Sequence, residues 1–140
     1  MVMERGYAKL RRKWRSGDFV ELEFPMPIRR VAADERVKAD AGKVALQRGP
    51  IVFCAEGIDN SGRVLNLALT DEEKLSHWFR SDLLGGVEFI TGKATVADPG
   101  SAGRPASKRR QSFMAVPYYA WANRGAGEMA VWLPRTSQFR

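Results

Sequence analysis

The sequence predicts a mainly β protein, an antiparallel two-sheet β-sandwich of the jelly-roll type with one short helix. Apolar and polar residues alternate with a period of two in several segments, the pattern of half-buried strands. Turns rich in glycine, proline and asparagine separate about eight such segments. With 140 residues and 44% hydrophobic residues, the chain can build one core. We therefore predict a single sandwich domain over residues 1–140.

The first clear strand pattern lies at residues 19–24. Its apolar residues share one face: Val20, Leu22 and Phe24. Glu21 and Glu23 lie on the other face, as expected for a strand with one solvent-exposed side. A turn at residues 15–18 joins this strand to residues 6–14, so the two segments are predicted to pair as a hairpin.

The middle of the chain continues the strand pattern. One strand begins with Val44 and Leu46, and the nearly continuous apolar run at residues 51–55 suits a strand buried on both faces. Gly49 and Pro50 form the predicted turn between these two strands. Further strands are predicted at these positions: residues 64–69 and residues 87–91.

A short helix is predicted to begin at Thr70. Glu73 follows three positions later, the spacing of a capping box. Leu75, Trp78 and Phe79 are spaced to share one apolar helical face. Residues 97–111 contain no large apolar residue and are predicted to form a long flexible surface loop. The domain prediction ends with a tail after residue 134.

Residues 109–134 contain five of the fourteen aromatic residues and the turn sequence NRGAG. The segments on either side of this turn alternate as strands, and both faces of each are largely apolar. Packing on both faces is therefore the favoured interpretation. Aromatic faces and hydrogen-bond donors also suit sugars, so five residues remain candidates for carbohydrate contact: Tyr118, Tyr119, Trp121, Asn123 and Arg124.

The single cysteine and the single histidine give no metal centre. A protein zinc site needs about four ligands, and Cys54 and His77 stand alone in the sequence. Cys54 lies in an apolar run, which predicts a buried structural thiol. His77 is predicted to be a surface or partly packed residue. We expect no metal and no cofactor.

Carboxylates also give no clear site. Glu21 and Glu23 share a strand face, but no predicted pocket surrounds them to raise one pKa for acid catalysis. Glu56 and Asp59 flank a loop and offer oxygen ligands to a cation, yet they are too few to predict calcium. We predict no catalytic residue in this chain.

The formal net charge is +7, and basic residues cluster at residues 9–15 and 108–110. Such clusters bind phosphate backbones in some proteins, but no nucleic-acid-reading motif accompanies them, and solvated faces are the favoured interpretation. No apolar run approaches the length of a membrane span, and no signal peptide is recognised at the N-terminus. The expectation is a cytoplasmic location, unless an upstream part carries a targeting signal.

Four segments, GYAKLRRKWRSGDFVELEFPMPIRR, GKVALQRGPIVFCAEGIDN, LLGGVEFITGKA and AVPYYAWANRGAGEMAVWLP, carry a family resemblance. In order and spacing they resemble the C-terminal part of glycoside hydrolase family 127, which contains β-L-arabinofuranosidases. The resemblance covers roughly residues 6–134.

The resemblance implies a modular enzyme with a helical (α/α)6 catalytic barrel followed by β-sandwich domains. Its chemistry uses a cysteine nucleophile in a zinc–thiolate cluster, with a glutamate alongside. The paired-cysteine motif is absent here, and Cys54 lies outside it, so no catalytic residue carries over.

The function implied is a non-catalytic accessory module that supports or docks the helical barrel. Its expected partners are that barrel or a second copy of the chain, bound through exposed apolar surface. The alternative is an autonomous carbohydrate-binding module for arabinose-containing glycans.

Overall fold

A computed structural model describes residues 1–98 and 107–136. Eleven strands in these residues, β1–β11 in chain order, are Val2–Glu4, Tyr7–Lys9, Ile28–Ala32, Lys43–Arg48, Ile51–Glu56, Leu67–Thr70, Ser76–Arg80, Val87–Asp98, Ser107–Pro117, Met129–Ala130 and Leu133–Thr136. The helical elements among the described residues are the short 3-10 turns Lys38–Asp40, Gly57–Asp59 and Tyr118–Ala120. None of them has the length and apolar character needed to cross a membrane.

Six strands form a closed β-barrel. Their order around the barrel is β5, β9, β8, β6, β11 and β4, and the pairing of β4 with β5 closes the ring. Neighbouring strands run antiparallel except β6 and β11, which pair in parallel. The three strands β3, β7 and β10 lie outside the ring and pair with β4, β8 and β5 respectively.

The predicted two-sheet jelly-roll sandwich is therefore wrong, although the chain is mainly β as predicted. β4 pairs with β5 through its residues 46–48 and with β11 through residues 43–44, so the sheet curls back onto itself. An alternating strand buries one face in a sandwich and in a barrel alike. The period of two could not distinguish the two architectures.

The buried side chains form an inner core and an outer cluster. The inner core includes Leu46, Phe53, Ile90 and Phe113. The outer cluster comprises Cys54, Val87, Phe89, Val116 and Ala120. Successive residues of β5, β8 and β9 alternate between the two, because neighbouring side chains on a strand point to opposite faces. Residues 53–55 are therefore covered on both faces as predicted, whereas Val52, in the same predicted run, is 39% exposed.

The predicted helix after Thr70 is wrong. Thr70 ends β6, and Ser76–Arg80 forms β7, which pairs antiparallel with β8. The Trp78 ring stacks on Phe89 of β8, with 5.3 Å between ring centroids. The Glu73 carboxylate accepts a hydrogen bond from the Lys93 backbone N–H at 2.9 Å and also pairs with Arg110. These tertiary contacts override the local helix signals.

The predicted strand at residues 19–24 is also wrong for this chain. Residues 10–27 form no strand, and every residue from 1 to 27 is exposed. The N-terminal hairpin instead joins β1 to β2, and it pairs with no other strand among the described residues. Strands need partners for their backbone groups and their apolar faces, and the barrel offers neither to this segment.

The longest hairpin joins β8 to β9, with a register that runs from Ile90 opposite Ala115 to Asp98 opposite Ser107. Residues 97–98 and 107–111, which the sequence assigns to a flexible loop, lie in these two strands. The rest of that loop, residues 99–106, lies outside the described residues. Of the predicted tail, residues 135–136 belong to β11, which pairs with β4 and β6.

Candidate functional site

A cavity of about 250 Å³ opens beside the Tyr118–Ala120 turn and is named here the Trp121 cavity. Its walls come from three parts of the chain: the end of β5 with the turn after it, residue Trp121, and the glycine-rich loop before β10. The lining residues are Glu56, Gly57, Ile58, Trp121, Ala122, Gly125, Ala126, Gly127 and Glu128. The cavity is thus built where residues separated by about 70 positions meet.

The aromatic turn beside this cavity begins where β9 ends at Pro117. Ala120 is buried in the outer cluster and anchors the turn to the barrel wall. The Tyr118 and Trp121 rings stack with 6.3 Å between their centroids and 24° between their planes. The sequence predicts a continuous strand here, but the strand ends because a 3-10 turn redirects the chain across the barrel surface.

A charge cluster lies under this turn. The Arg124 guanidinium donates to Asp59 Oδ1 at 2.8 Å and also pairs with the Glu56 carboxylate. All three side chains are largely buried. The hydrogen bond from Arg124 to Asp59 is the main cause that raises the pKa of the guanidinium. The second Glu56 oxygen, Oε1, accepts the Ala122 backbone N–H at 2.8 Å, which ties the turn to β5.

The five predicted carbohydrate-contact residues meet in this one region but differ in availability. Tyr118, Tyr119 and Trp121 are 47%, 66% and 39% exposed, so the described residues do not provide the full packing that their strand pattern predicts. The Asn123 side-chain amide donates to the backbone oxygens of the turn, at 3.2 Å each. Arg124 is held by two carboxylates. Of the five residues, the three aromatic ones therefore remain exposed for contact, with the Tyr118 and Trp121 rings stacked on each other.

The charge cluster also explains Glu56 and Asp59, which the sequence offers as cation ligands. Both carboxylates are turned toward Arg124, so the guanidinium occupies the position that a cation would need. Within residues 1–98 and 107–136, no group of three or more His, Cys, Asp or Glu side chains is placed to hold a metal ion.

Cys54 is a buried free thiol in the outer cluster, as predicted. Burial is the largest cause that raises its pKa to about 12, and the nearby Glu56 carboxylate raises it further. The thiol is therefore protonated at neutral pH. Nucleophilic cysteines need the reverse environment, with a cation or helix N-terminus that stabilises the thiolate.

His77 lies on β7 and not on a helix, and its side chain is half-exposed as predicted for a surface residue. Its Nδ1 pairs with the Glu88 carboxylate, and Arg48 Nη2 lies 3.5 Å from its Nε2. Glu21 and Glu23 are exposed within residues 10–27, which form no strand.

Two polar residues that sequence reasoning missed complete the site. Asn60 is buried, and its side-chain amide bonds to the Glu56 backbone oxygen and to both backbone groups of Met114, so it joins the loop after β5 to β9. Glu128 accepts the backbone N–H groups of Val64 and Leu65, which lower its pKa. The sequence around Asn60 indicated a turn, but no local pattern indicated that Asn60 or Glu128 would bond to distant backbone groups.

Comparison with known proteins identifies the domain family of the chain. The family model "Glycoside hydrolase family 127 C-terminal domain" matches residues 28–134. A non-reducing end β-L-arabinofuranosidase from Bifidobacterium longum is 41% identical, and the match covers 86% of this chain and 20% of that enzyme. The chain thus spans about a fifth of the curated relative.

Solved structures agree. A family 127 β-L-arabinofuranosidase from Geobacillus stearothermophilus T6 is 48% identical with a TM-score of 0.74, covering 81% of this chain and 19% of that one. A second β-arabinofuranosidase of family 127 is 38% identical with a TM-score of 0.76, covering 81% of this chain and 18% of that one.

The raised pKa of Cys54 gives a testable pH dependence. The fold favours the neutral thiol, so this contribution to stability is complete below pH 9 and is lost as the pH rises toward 12. At pH 8 the folded chain should hold roughly a thousandfold less thiolate than the unfolded chain. Titration with a chromogenic disulfide, in buffer and in urea, measures the difference. Reaction of Cys54 at the unfolded rate, with native circular dichroism, would contradict it; Cys54→Ala is the blank.

Proposed function

The chain belongs to the glycoside hydrolase family 127 C-terminal domain family, and on this premise we propose a non-catalytic accessory role. The domain packs against a helical catalytic domain of a β-L-arabinofuranosidase-like enzyme. The observation that carries the proposal is a group of exposed apolar side chains on and after β7. This group, named here the β7 surface, consists of Trp78 and Phe79, on opposite faces of the strand, and Leu84 in the turn that follows.

The state of the buried ionisable groups supports a role without bond cleavage. Glycosidases commonly use one carboxylic acid and one free carboxylate, placed on either side of the glycosidic bond. Here Glu56 and Asp59 share the Arg124 guanidinium, and Cys54 is protonated. The two carboxylates are thus neutralised by the guanidinium, and the thiol stays neutral. All of these groups can therefore be buried inside the domain.

The β7 surface is rigidly supported, as a docking surface requires. Trp78 stacks on the buried Phe89, and the Phe79 ring lies over Gly86. A Cβ at position 86 would lie 2.6 Å from Phe79 Cζ, so a glycine is needed there. Gly86 also has φ of 110°, a backbone conformation that suits glycine. Preformed aromatic side chains bind a partner with little loss of conformational entropy.

The docking role is tested with a chimera in which this chain replaces the matching C-terminal region of the Geobacillus stearothermophilus enzyme. The isolated chain should release no arabinose from a synthetic β-L-arabinofuranoside, whereas the chimera should be active. Phe79→Asp should lower the thermal midpoint of the chimera's catalytic domain by about 2 °C, equivalent to about 1 kcal/mol, and leave that of the isolated chain unchanged.

Leu65→Asp is the matched control, because Leu65 is exposed but lies outside the β7 surface. It should change neither midpoint. Equal midpoints for the Phe79→Asp chimera and its parent would exclude docking through β7. Turnover by the isolated chain would exclude the accessory role, and a β7-dependent dimer in light scattering would identify a second copy as the partner.

A second candidate function, binding of an arabinose-containing glycan, is favoured by the Trp121 cavity. Its volume of about 250 Å³ is close to the lower range of ligand pockets. The Trp121 ring offers a stacking face at its edge, and Glu128 adds a carboxylate to its lining. An aromatic face combined with a few polar groups is the usual composition of a small-molecule site.

Titration calorimetry with an L-arabinose-containing oligosaccharide tests this candidate. Binding in the millimolar range should be lost in Trp121→Ala, while the melting temperature changes by no more than about 4 °C because the ring is partly exposed. Trp14→Ala, in the exposed N-terminal segment, should bind as the parent does. Absence of binding heat at millimolar ligand would remove this candidate.

A further inference from the structure

The Trp121 cavity differs in charge from the chain as a whole. The chain has a formal net charge of +7, yet the charged side chains among the cavity's lining residues are both acidic, Glu56 and Glu128. The residues paired with these two, directly or through a shared guanidinium, are Asp59, Arg63 and Arg124. Three carboxylates and two guanidiniums give this group a net negative charge. An anionic ligand is therefore disfavoured in the cavity although the chain is basic.

The two lining carboxylates differ in what they can still bind. One oxygen of Glu56 accepts a backbone N–H, and the other pairs with the Arg124 guanidinium. In Glu128, Oε2 accepts two backbone N–H groups, at 2.8 and 3.2 Å. Its Oε1 lies 3.9 Å from Arg63 Nε, which is beyond hydrogen-bond distance. Of the two side chains, Glu128 therefore retains an acceptor oxygen for a ligand.

The glycine-rich loop before β10 supplies hydrogen-bond donors. Gly125, Ala126 and Gly127 line the cavity, and their backbone N–H groups make no hydrogen bond within residues 1–98 and 107–136. A hydroxyl group both donates and accepts hydrogen bonds, so a sugar hydroxyl can bond to a loop N–H and to the Glu128 carboxylate. An ionised carboxylate on a ligand only accepts, so it has no hydrogen to donate to Glu128.

The other walls of the cavity are held in place by contacts within the domain. Trp121 stacks on Tyr118, and of these two rings only Trp121 borders the cavity. A Cβ at Gly57 would lie 2.8 Å from the Gly62 backbone oxygen, so this close approach requires a glycine. The Gly57 N–H also donates to the Glu128 backbone oxygen at 2.8 Å. A preformed cavity of this kind binds a ligand with little loss of conformational entropy.

We propose that the Trp121 cavity binds one neutral sugar ring of a glycan and rejects acidic sugars. The C–H face of the ring packs on Trp121, and its hydroxyl groups bond to the glycine-rich loop and to Glu128. The volume of about 250 Å³ lies below the roughly 300–1,000 Å³ of pockets for drug-sized ligands, which suits a single ring with the rest of the glycan outside. This inference rests on the glycan-binding candidate and adds the class of sugar and the residue that selects it.

NMR titration of the isotope-labelled chain tests the proposal with two forms of one L-arabinose-containing oligosaccharide. One form is neutral, and in the other the primary hydroxyl groups are oxidised to carboxylates. The neutral form should bind in the millimolar range and shift the amide signals of residues 125–127. The oxidised form should bind at least about tenfold more weakly, because its carboxylate meets the like charge of Glu128.

Glu128→Gln tests the charge separately from the shape of the cavity. Glutamine keeps an acceptor oxygen for the two backbone N–H groups but carries no charge. The preference for the neutral form should therefore fall from about tenfold to about twofold or less. A merely structural role of Glu128 would weaken both forms alike and leave this ratio unchanged.

Gly127→Val tests whether the sugar enters the cavity. A Cβ at this position would meet no atom within 4 Å, and Gly127 does not have the positive φ that only glycine adopts easily. The variant should therefore melt within about 4 °C of the parent and lose binding of the neutral form, because the added side chain occupies the cavity. Ala97→Val is the matched control. Ala97 is exposed on β8 and does not line the cavity, so this variant should bind as the parent does.

Equal binding of the neutral and oxidised forms would overturn the inference, as would a tenfold preference that persists in Glu128→Gln. Unchanged binding by folded Gly127→Val, or parent shifts that do not include residues 125–127, would place the sugar outside the cavity and also overturn it. Each of these results leaves the glycan-binding candidate standing. Absence of binding by either form rejects both, so the two failures are distinguishable.

Discussion

The pairing of Arg124 with Glu56 and Asp59 is the constraint on which the outer part of the barrel depends. One guanidinium joins the end of β5, the turn after it and the loop before β10. It also lies 6.0 Å from the Phe89 ring, so it packs over the outer cluster. A buried carboxylate without this partner would be strongly unfavourable. Glu56 and Asp59, whose carboxylates are of the kind that glycosidases use, therefore hold the aromatic turn in place through Arg124.

The buried groups of the domain maintain its structure, whereas its exposed surfaces are available for contacts. The barrel satisfies its own backbone by closing on itself, and its buried acids and thiol are held in unreactive states. What remains available lies outside: the β7 surface, the rim of the Trp121 cavity and the N-terminal segment. A domain that spans about a fifth of its relatives is expected to have such contact surfaces. The proposed accessory role rests on these surfaces.

The features that could be predicted from the sequence are those that depend on residues close together in the chain. The apolar run around Cys54 predicted a doubly covered strand, because two buried faces leave no polar alternation. The architecture was not predictable in the same way, since barrel closure depends on pairs such as Arg135 with Leu69, 66 positions apart. The capping signals at Thr70 were real but weaker than the stacking of Trp78 on Phe89. For the site, the aromatic candidates were predicted, but the partners of Arg124, 65 and 68 positions away, were not.

Replacement of Arg124 by Met, followed by urea unfolding, tests most directly whether this cluster is structural. We expect a loss of about 3–5 kcal/mol in unfolding free energy, because two buried carboxylates lose their partner. Adding Glu56→Gln and Asp59→Asn should restore part of that loss, and Arg63→Met, an exposed control, should change stability by less than about 0.5 kcal/mol. A loss below about 1 kcal/mol for Arg124→Met would contradict the structural role.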